Sequence, residues 1–280
     1  MRLVDTLNAR DNEVLKAASC AGDVVSREAL LRVMNYSNAE LSKSLNNLVR
    51  TGLIAPIPEF RTSSNKHLTR VNKYKWAHPV GRKAVHDLMM KNQALAIHRM
   101  FAANLELEIL SSDREATVDL HTMLIEQYTE AGMPLEAAVH AAAVAAIHME
   151  ESQILEASEF IEKALMIIRV LQGSPSIDSY ISKWCTDLAC MQVMMTDFSD
   201  AKVNSERAKE LSANVLDLSK RHQKSWFNCC CGGGGVFDEE MLMARERAKE
   251  ASARADSVLA EVQFARSSRT PKSMVRLNFF

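Results

Sequence analysis

The sequence is poor in the residues that build sheets and tight turns. Its 280 residues include only 6 prolines and 9 glycines, and aromatic residues make up 6% of the chain. Alanine, leucine, methionine, glutamate and lysine are abundant, and all of them favour helices. The composition therefore predicts a mainly α protein.

Long apolar runs and regular cysteine spacings are also missing. No stretch approaches the roughly 18 apolar residues that a membrane-spanning helix needs, and residues 1–20 have no continuous apolar core of the signal-peptide type. The 6 cysteines form no framework, and three of them are contiguous at 229–231. We expect reduced cysteines, a cytoplasmic location and no membrane contact.

The motifs of several catalytic and metal sites are not found. The sequence has no GxxxxGK[ST] phosphate-binding loop, no HExxH and no CxxC followed by paired histidines. His140 and His148 are about 12 Å apart if they lie on one helix, which is too far to share an ion. We expect a protein that is not an enzyme and that has no cofactor and no metal.

Charge is distributed unevenly although the net charge is only −1. Residues 1–100 contain 16 lysines and arginines against 8 aspartates and glutamates, whereas the rest of the chain contains 18 against 27. A basic first part and an acidic second part indicate two functional units.

Residues 1–78 have the pattern of a small mixed domain. Three short helices are predicted, with N-caps at Asp11 or Asn12, at Ser26 and at Ser37. A strand at 53–60 contains two prolines and is therefore expected at a sheet edge. A basic loop and a second strand at 71–77 follow, and this order predicts a winged-helix domain with the loop as its wing.

From residue 79 the pattern is helical almost throughout. Helices are predicted at 79–90, 93–110, 115–131, 134–149, 153–171, 178–195, 198–221 and 238–265. We assign a connecting helix pair to 79–110, a helical array to 111–225, a Cys/Gly linker to 226–237 and a charged helix with a basic tail to 238–280.

The array carries a weak internal repeat of small residues. Ala157 and Ala164 are seven residues apart, as are Ala201 and Ala208. Small residues at this spacing let neighbouring helices approach closely. Because the 34-residue period of regular repeats is not kept, we predict a tetratricopeptide-like antiparallel array.

The third helix and the wing could also form a DNA-binding surface. Lys43, Asn47 and Arg50 are predicted on the polar side of the helix, and Lys73 lies in the basic segment. These residues could contact phosphates, but phosphate contacts do not specify a base sequence. A winged-helix transcriptional regulator with a helical sensor domain is therefore the alternative function, and nucleic-acid binding is the less favoured one.

Three segments together resemble a known family. The first segment, residues 15–22, reads LKAASCAG. The second, residues 74–106, has His78, Arg82, His98 and Glu106 at the positions where the family has the same residue types. The third, residues 128–146, contains AG followed by an alanine-rich predicted helix. These segments resemble the winged helix and the first array helices of STAND-type, AAA-like signalling ATPases, especially those attached to soluble adenylyl cyclases. His86 stands where the family has an aromatic residue.

The resemblance implies a regulatory role without catalysis. It suggests the C-terminal portion, or a separate subunit, of a STAND-type ATPase linked to nucleotide cyclase signalling. The winged helix would pack on the ATPase core, and the array would bind the ATPase or cyclase domains or a peptide. His78, Arg82, His98 and Glu106 would form a polar joint between the winged helix and the helices that follow.

Overall fold

Helices dominate the structure, a computed structural model that describes residues 7–60, 69–111, 118–228 and 236–267. These residues form eleven α-helices and one small three-stranded sheet, which confirms the mainly α class. No helix in the described ranges combines the length and apolar character needed to cross a membrane. The chain divides into two compact units, Met1–Met133 and Pro134–Phe280.

Unit 1 mixes helices with the sheet. Its elements are α1 (Ala9–Ala21), β1 (Val24–Ser26), α2 (Arg27–Val33), α3 (Asn38–Arg50), β2 (Ile54–Phe60), β3 (Thr69–Trp76), α4 (Pro79–Asp87), α5 (Lys91–Ser111) and α6 (Val118–Glu130). The predicted helix pair at 79–110 and the start of the predicted array both belong to this unit.

The sheet is antiparallel with the strand order β1-β3-β2. The proline-containing strand β2 lies at an edge, as predicted, because proline cannot donate a ladder hydrogen bond. Tyr74 and Trp76 of the central strand are buried, while Lys73 and Lys75 are exposed. Strand β1 was not predicted, since three residues are too few to show an alternating pattern.

Two of the three predicted helix caps are confirmed, and one is wrong. Ser26 and Ser37 cap α2 and α3 through their hydroxyl groups, and Ser37 forms a full capping box with Glu40. The first helix starts earlier than predicted. Asn8 is its cap, and the Asn8 Oδ1 atom accepts a hydrogen bond from the Asp11 backbone N–H at 2.8 Å.

The core of unit 1 joins the first three helices to the sheet and to α4 and α5. It contains five wholly buried leucines and two buried aromatic residues of the sheet. The largest members of this core are Leu15, Leu30, Leu41, Leu45, Leu48, Tyr74, Trp76 and Phe101.

The described residues of unit 2 form helices and short connections between them, without a strand. Its elements are α7 (Pro134–Glu150), α8 (Ile154–Ile168), a short 3-10 helix (Arg169–Leu171), α9 (Pro175–Met194), α10 (Phe198–Asn228) and α11 (Val236–Ser267). Helix α10 runs seven residues past its predicted end. The Cys/Gly segment 229–235 and the basic tail 268–280 lie outside the described residues, as does most of the predicted wing, 61–68.

Small residues line the contacts between helices α9, α10 and α11. Ala208 on α10 and Ala251 on α11 are buried, and their backbone carbonyls accept hydrogen bonds from the Ser182 and Thr186 hydroxyls of α9 at 2.8 and 3.3 Å. A larger residue would hold the backbones too far apart for these bonds. Ala208, one of the four alanines noted in the sequence, therefore lies at a helix contact.

Candidate functional site

A polar cluster lies inside unit 1, where side chains from four helices meet. Cys20 comes from α1, His86 from α4, His98 from α5 and Gln127 from α6. The Cys20 thiol sulfur and one ring nitrogen of each histidine all lie within 4.8 Å of one another. Cys20 and His98 are buried, and His86 is half-buried.

Hydrogen bonds define the orientation of each group in this cluster. The Gln127 Nε2 atom donates to the Cys20 backbone carbonyl at 3.1 Å, so the Gln127 Oε1 atom faces His98 Nδ1 at 2.8 Å. His98 Nδ1 must then carry a hydrogen, because the amide oxygen only accepts. The His98 Nε2 atom therefore has a free lone pair, which accepts from His86 Nε2 at 3.2 Å.

Burial favours the uncharged forms of Cys20 and His98. Desolvation raises the pKa of the Cys20 thiol to about 12, although the hydrogen bond with Ser19 and the Arg82 charge act in the opposite direction. Desolvation also lowers the pKa of His98, against the Gln127 hydrogen bond and the Glu130 charge. At neutral pH the cluster thus consists of a thiol and a neutral His98 imidazole.

The C-terminal end of α1 is held by side chains rather than by backbone groups. The last carbonyls of a helix have no partner within the helix. Here three side chains donate hydrogen bonds to carbonyl groups at the helix end. Arg82 Nε donates to the Ser19 carbonyl at 3.0 Å, Gln127 Nε2 to the Cys20 carbonyl at 3.1 Å, and Trp76 Nε1 to the Gly22 carbonyl at 3.1 Å. This arrangement fixes the position of Cys20 relative to α4, α6 and β3.

The four residues of the predicted joint have different surroundings. Arg82 binds the end of α1 and also pairs with Asp23 at 3.1 Å, and His98 reaches the same helix end through Gln127. His78 is exposed at the start of α4 and makes no side-chain cap. Glu106 is half-buried and lies about 12 Å further along α5 than His98.

The candidate nucleic-acid contacts are only partly on the surface. Lys43 and Arg50 are exposed on α3, and Lys73 is exposed on β3. Asn47 instead turns inward, and its Nδ2 atom donates to the Asp11 carboxylate at 3.2 Å. Asn47 therefore serves the packing of α3 on α1 in this structure.

Cys20 and Gln127 were not found as site residues from the sequence. The sequence shows Cys20 only as part of the LKAASCAG segment, and Gln127 follows Glu126 with no motif around it. One available signal was His86, a histidine in place of the aromatic residue of the resembled family. A second was the helical spacing of Gln127 from Leu124 and Ala131, which places a polar side chain on an apolar helix face, where it needs a hydrogen-bond partner.

Each unit also has an apolar surface. In unit 1, an open groove of about 290 Å³ is lined by parts of α1, α2 and α5, including Met34, Ile97 and Met100. In unit 2, Met166 and Val170 are 70% and 78% exposed, and Leu155 lies on the same face of α8 by its helical spacing.

Comparison with known proteins identifies no relative. No protein-family model, no curated protein and no solved structure matches the chain.

Proposed function

We propose that this chain is a non-catalytic regulatory and protein-interaction portion of a STAND-type ATPase linked to nucleotide cyclase signalling. Unit 1 would contain the winged-helix domain and the start of the tetratricopeptide-like array, and unit 2 would contain the rest of the array. The chain would act in the cytoplasm by binding the ATPase or cyclase domains, or a peptide.

The order of elements in unit 1 is the observation that carries the proposal. Helix α1, strand β1, helices α2 and α3, and strands β2 and β3 follow one another, and the short first strand pairs with the last. This is the order expected of a winged helix, and the segments that resemble the ATPase family begin and continue in this unit.

The helical packing of unit 2 supports an array that binds proteins. Helices α7, α8, α9 and α10 follow one another through short connections, and each of them carries buried alanines. The exposed residues Met166 and Val170, four positions apart, provide a small apolar strip that a partner could cover. Methionine suits such a surface because its flexible side chain adapts to a partner.

A binding measurement tests this proposal. The purified chain is titrated into a purified ATPase core of the STAND type from the same organism, with binding followed by calorimetry. We expect saturable binding, and no ATP hydrolysis by the chain alone. ATP hydrolysis by the chain, or no binding to ATPase or cyclase domains, would refute the proposal.

Charge substitutions in the apolar strip locate the contact. Met166→Glu combined with Val170→Glu should weaken binding at least tenfold, because a desolvated carboxylate disfavours an apolar interface. Val203→Glu is the matched control, since Val203 is 60% exposed on α10 and outside the strip. An equal effect of both changes would mean that the strip is not the contact.

DNA binding is the second candidate, and the exposed positions of Lys43 and Arg50 on α3 favour it. It requires duplex binding that weakens steeply as salt rises and that is lost in the Lys43→Ala, Arg50→Ala double variant. Our proposal expects no duplex binding even at low salt.

A further inference from the structure

The spacing of the ligand atoms in the unit 1 cluster matches that of a metal site. Two imidazole nitrogens bound to one tetrahedral zinc ion at about 2.0–2.1 Å lie roughly 3.3 Å apart. The Nε2 atoms of His86 and His98 are 3.2 Å apart. The Cys20 sulfur lies within 4.8 Å of both, close enough to complete a three-ligand set after a small rotation.

The orientation of His98 is also that of a metal ligand. A metal-bound histidine usually donates its second ring N–H to an oxygen acceptor, which fixes the ring and its tautomer. His98 Nδ1 makes this bond with Gln127 Oε1 at 2.8 Å, so its Nε2 lone pair points into the cluster. Gln127 is itself fixed by its bond to the Cys20 carbonyl.

We propose that Cys20, His86 and His98 bind one zinc-class transition-metal ion in unit 1, and that this ion joins helices α1, α4 and α5. One thiolate and two imidazoles form a donor set that suits zinc rather than magnesium or calcium. The fourth position takes a water molecule from the side of His86, which is half-buried.

Binding requires two proton movements. The Cys20 thiol loses its proton to solvent and binds as a thiolate. His86 shifts its proton from Nε2 to Nδ1, so its Nε2 lone pair reaches the ion. The two positive charges of Zn²⁺ and the single negative charge of the thiolate leave the site with a net charge of +1.

The test uses the full chain after treatment with a chelator. Zinc affinity and stoichiometry are measured by competition with a chromophoric zinc chelator. We expect one zinc ion per chain, and we expect its binding to require Cys20, His86 and His98. His86→Phe should lower the affinity by at least ~100-fold, since even loss of a supporting hydrogen bond lowers it by about 10–100-fold.

Matched controls separate ligand loss from general damage. His148→Phe replaces a half-buried histidine of unit 2, and Cys185→Ala replaces a buried cysteine there, so neither should change the affinity. Cys20→Ala should lower it as His86→Phe does. If His86→Phe does not fold, His86→Gln keeps a hydrogen-bond donor next to His98 and provides the second variant.

The three contiguous cysteines at 229–231 must be tested as a competing zinc site. Replacing all three with serine should leave the cluster-dependent zinc ion bound. Substituting cobalt should give a thiolate-to-cobalt charge-transfer band that disappears in Cys20→Ala and persists in the triple serine variant. The proposal is overturned if the chain binds no zinc. It is also overturned if the triple serine variant loses the zinc ion while Cys20→Ala and His86→Phe both keep it.

Discussion

At the scale of single residues, the end of α1 depends on polar side chains from distant parts of the chain. Gln127 lies 107 residues after Cys20 and yet satisfies its carbonyl group. A buried polar group without a partner costs free energy, so each of these bonds matters more than its small net contribution suggests.

Replacing Gln127 with leucine should destabilise unit 1. The change leaves the Cys20 carbonyl and the His98 Nδ1–H buried without partners, and we expect the free energy of unfolding to fall by about 2–3 kcal/mol. Urea unfolding measures the loss. Glu126→Leu, on the exposed face of the same helix, should change stability by less than about 0.5 kcal/mol. Equal effects of the two substitutions would contradict the role assigned to Gln127.

Arg82→Ala tests the second polar contact with α1. Arg82 donates to the Ser19 carbonyl and pairs with Asp23, but Asp23 is largely exposed and the ion pair adds little. We expect a loss of about 1–2 kcal/mol, mostly from the hydrogen bond to the carbonyl. Thermal or urea unfolding of the variant measures this loss. Arg99→Ala removes an exposed arginine from α5 and should leave the free energy of unfolding almost unchanged.

At the scale of elements, α3 owes part of its stability to the capping box at its start. The Glu40 carboxylate accepts hydrogen bonds from the backbone N–H and the hydroxyl group of Ser37. These bonds, with the Arg10 charge, lower the pKa of Glu40 below its ordinary value of 4.5. The ionised carboxylate therefore stabilises the fold at neutral pH.

The pH dependence of this contribution has a definite sign. Because the folded pKa of Glu40 is lowered, its contribution is present above pH 4.5 and is lost as the pH falls through the folded pKa. The chain should be more stable than its Glu40→Gln variant at neutral pH, and the difference should shrink in acid. Urea unfolding of both proteins across this range measures it. A difference that grows in acid would contradict the capping role.

The helix contacts of unit 2 depend on small residues. Ala208 on α10 is fully buried, and its carbonyl accepts a hydrogen bond from Ser182. Ala208→Leu should destabilise the protein by about 1–3 kcal/mol, since the larger side chain forces α9 and α10 apart. Ala213→Leu lies on the exposed face of α10 and is the matched control. Thermal unfolding measures both variants, and an equal loss of stability in Ala208→Leu and Ala213→Leu would contradict close packing at Ala208.

At the scale of the whole molecule, local signals in the sequence predicted the fold better than they predicted the site. Ser26 and Ser37 mark helix starts because capping involves residues only three positions apart. The helix start at Pro134 and the edge position of β2 likewise follow from the chemistry of single residues. These signals correctly gave the mainly helical class and most element positions.

The site depends on contacts that no local pattern contains. Cys20, His86 and Gln127 belong to three different helices, and their meeting is decided by the packing of unit 1. Strand β1 was missed for a related reason, because its three residues form a strand only by pairing with β3. The sequence placed His86 and His98 on two predicted helices but could not show that the two rings meet.

The most direct test of the proposed regulatory role compares the affinity of the chain for two states of the ATPase. A regulator can shift a switch only as far as it binds one state more tightly than the other. Calorimetric titration of the chain into the ATP-loaded and ADP-loaded ATPase core should give dissociation constants that differ at least tenfold, or about 1.4 kcal/mol. Equal affinities for the two states, or no binding to either, would contradict the account.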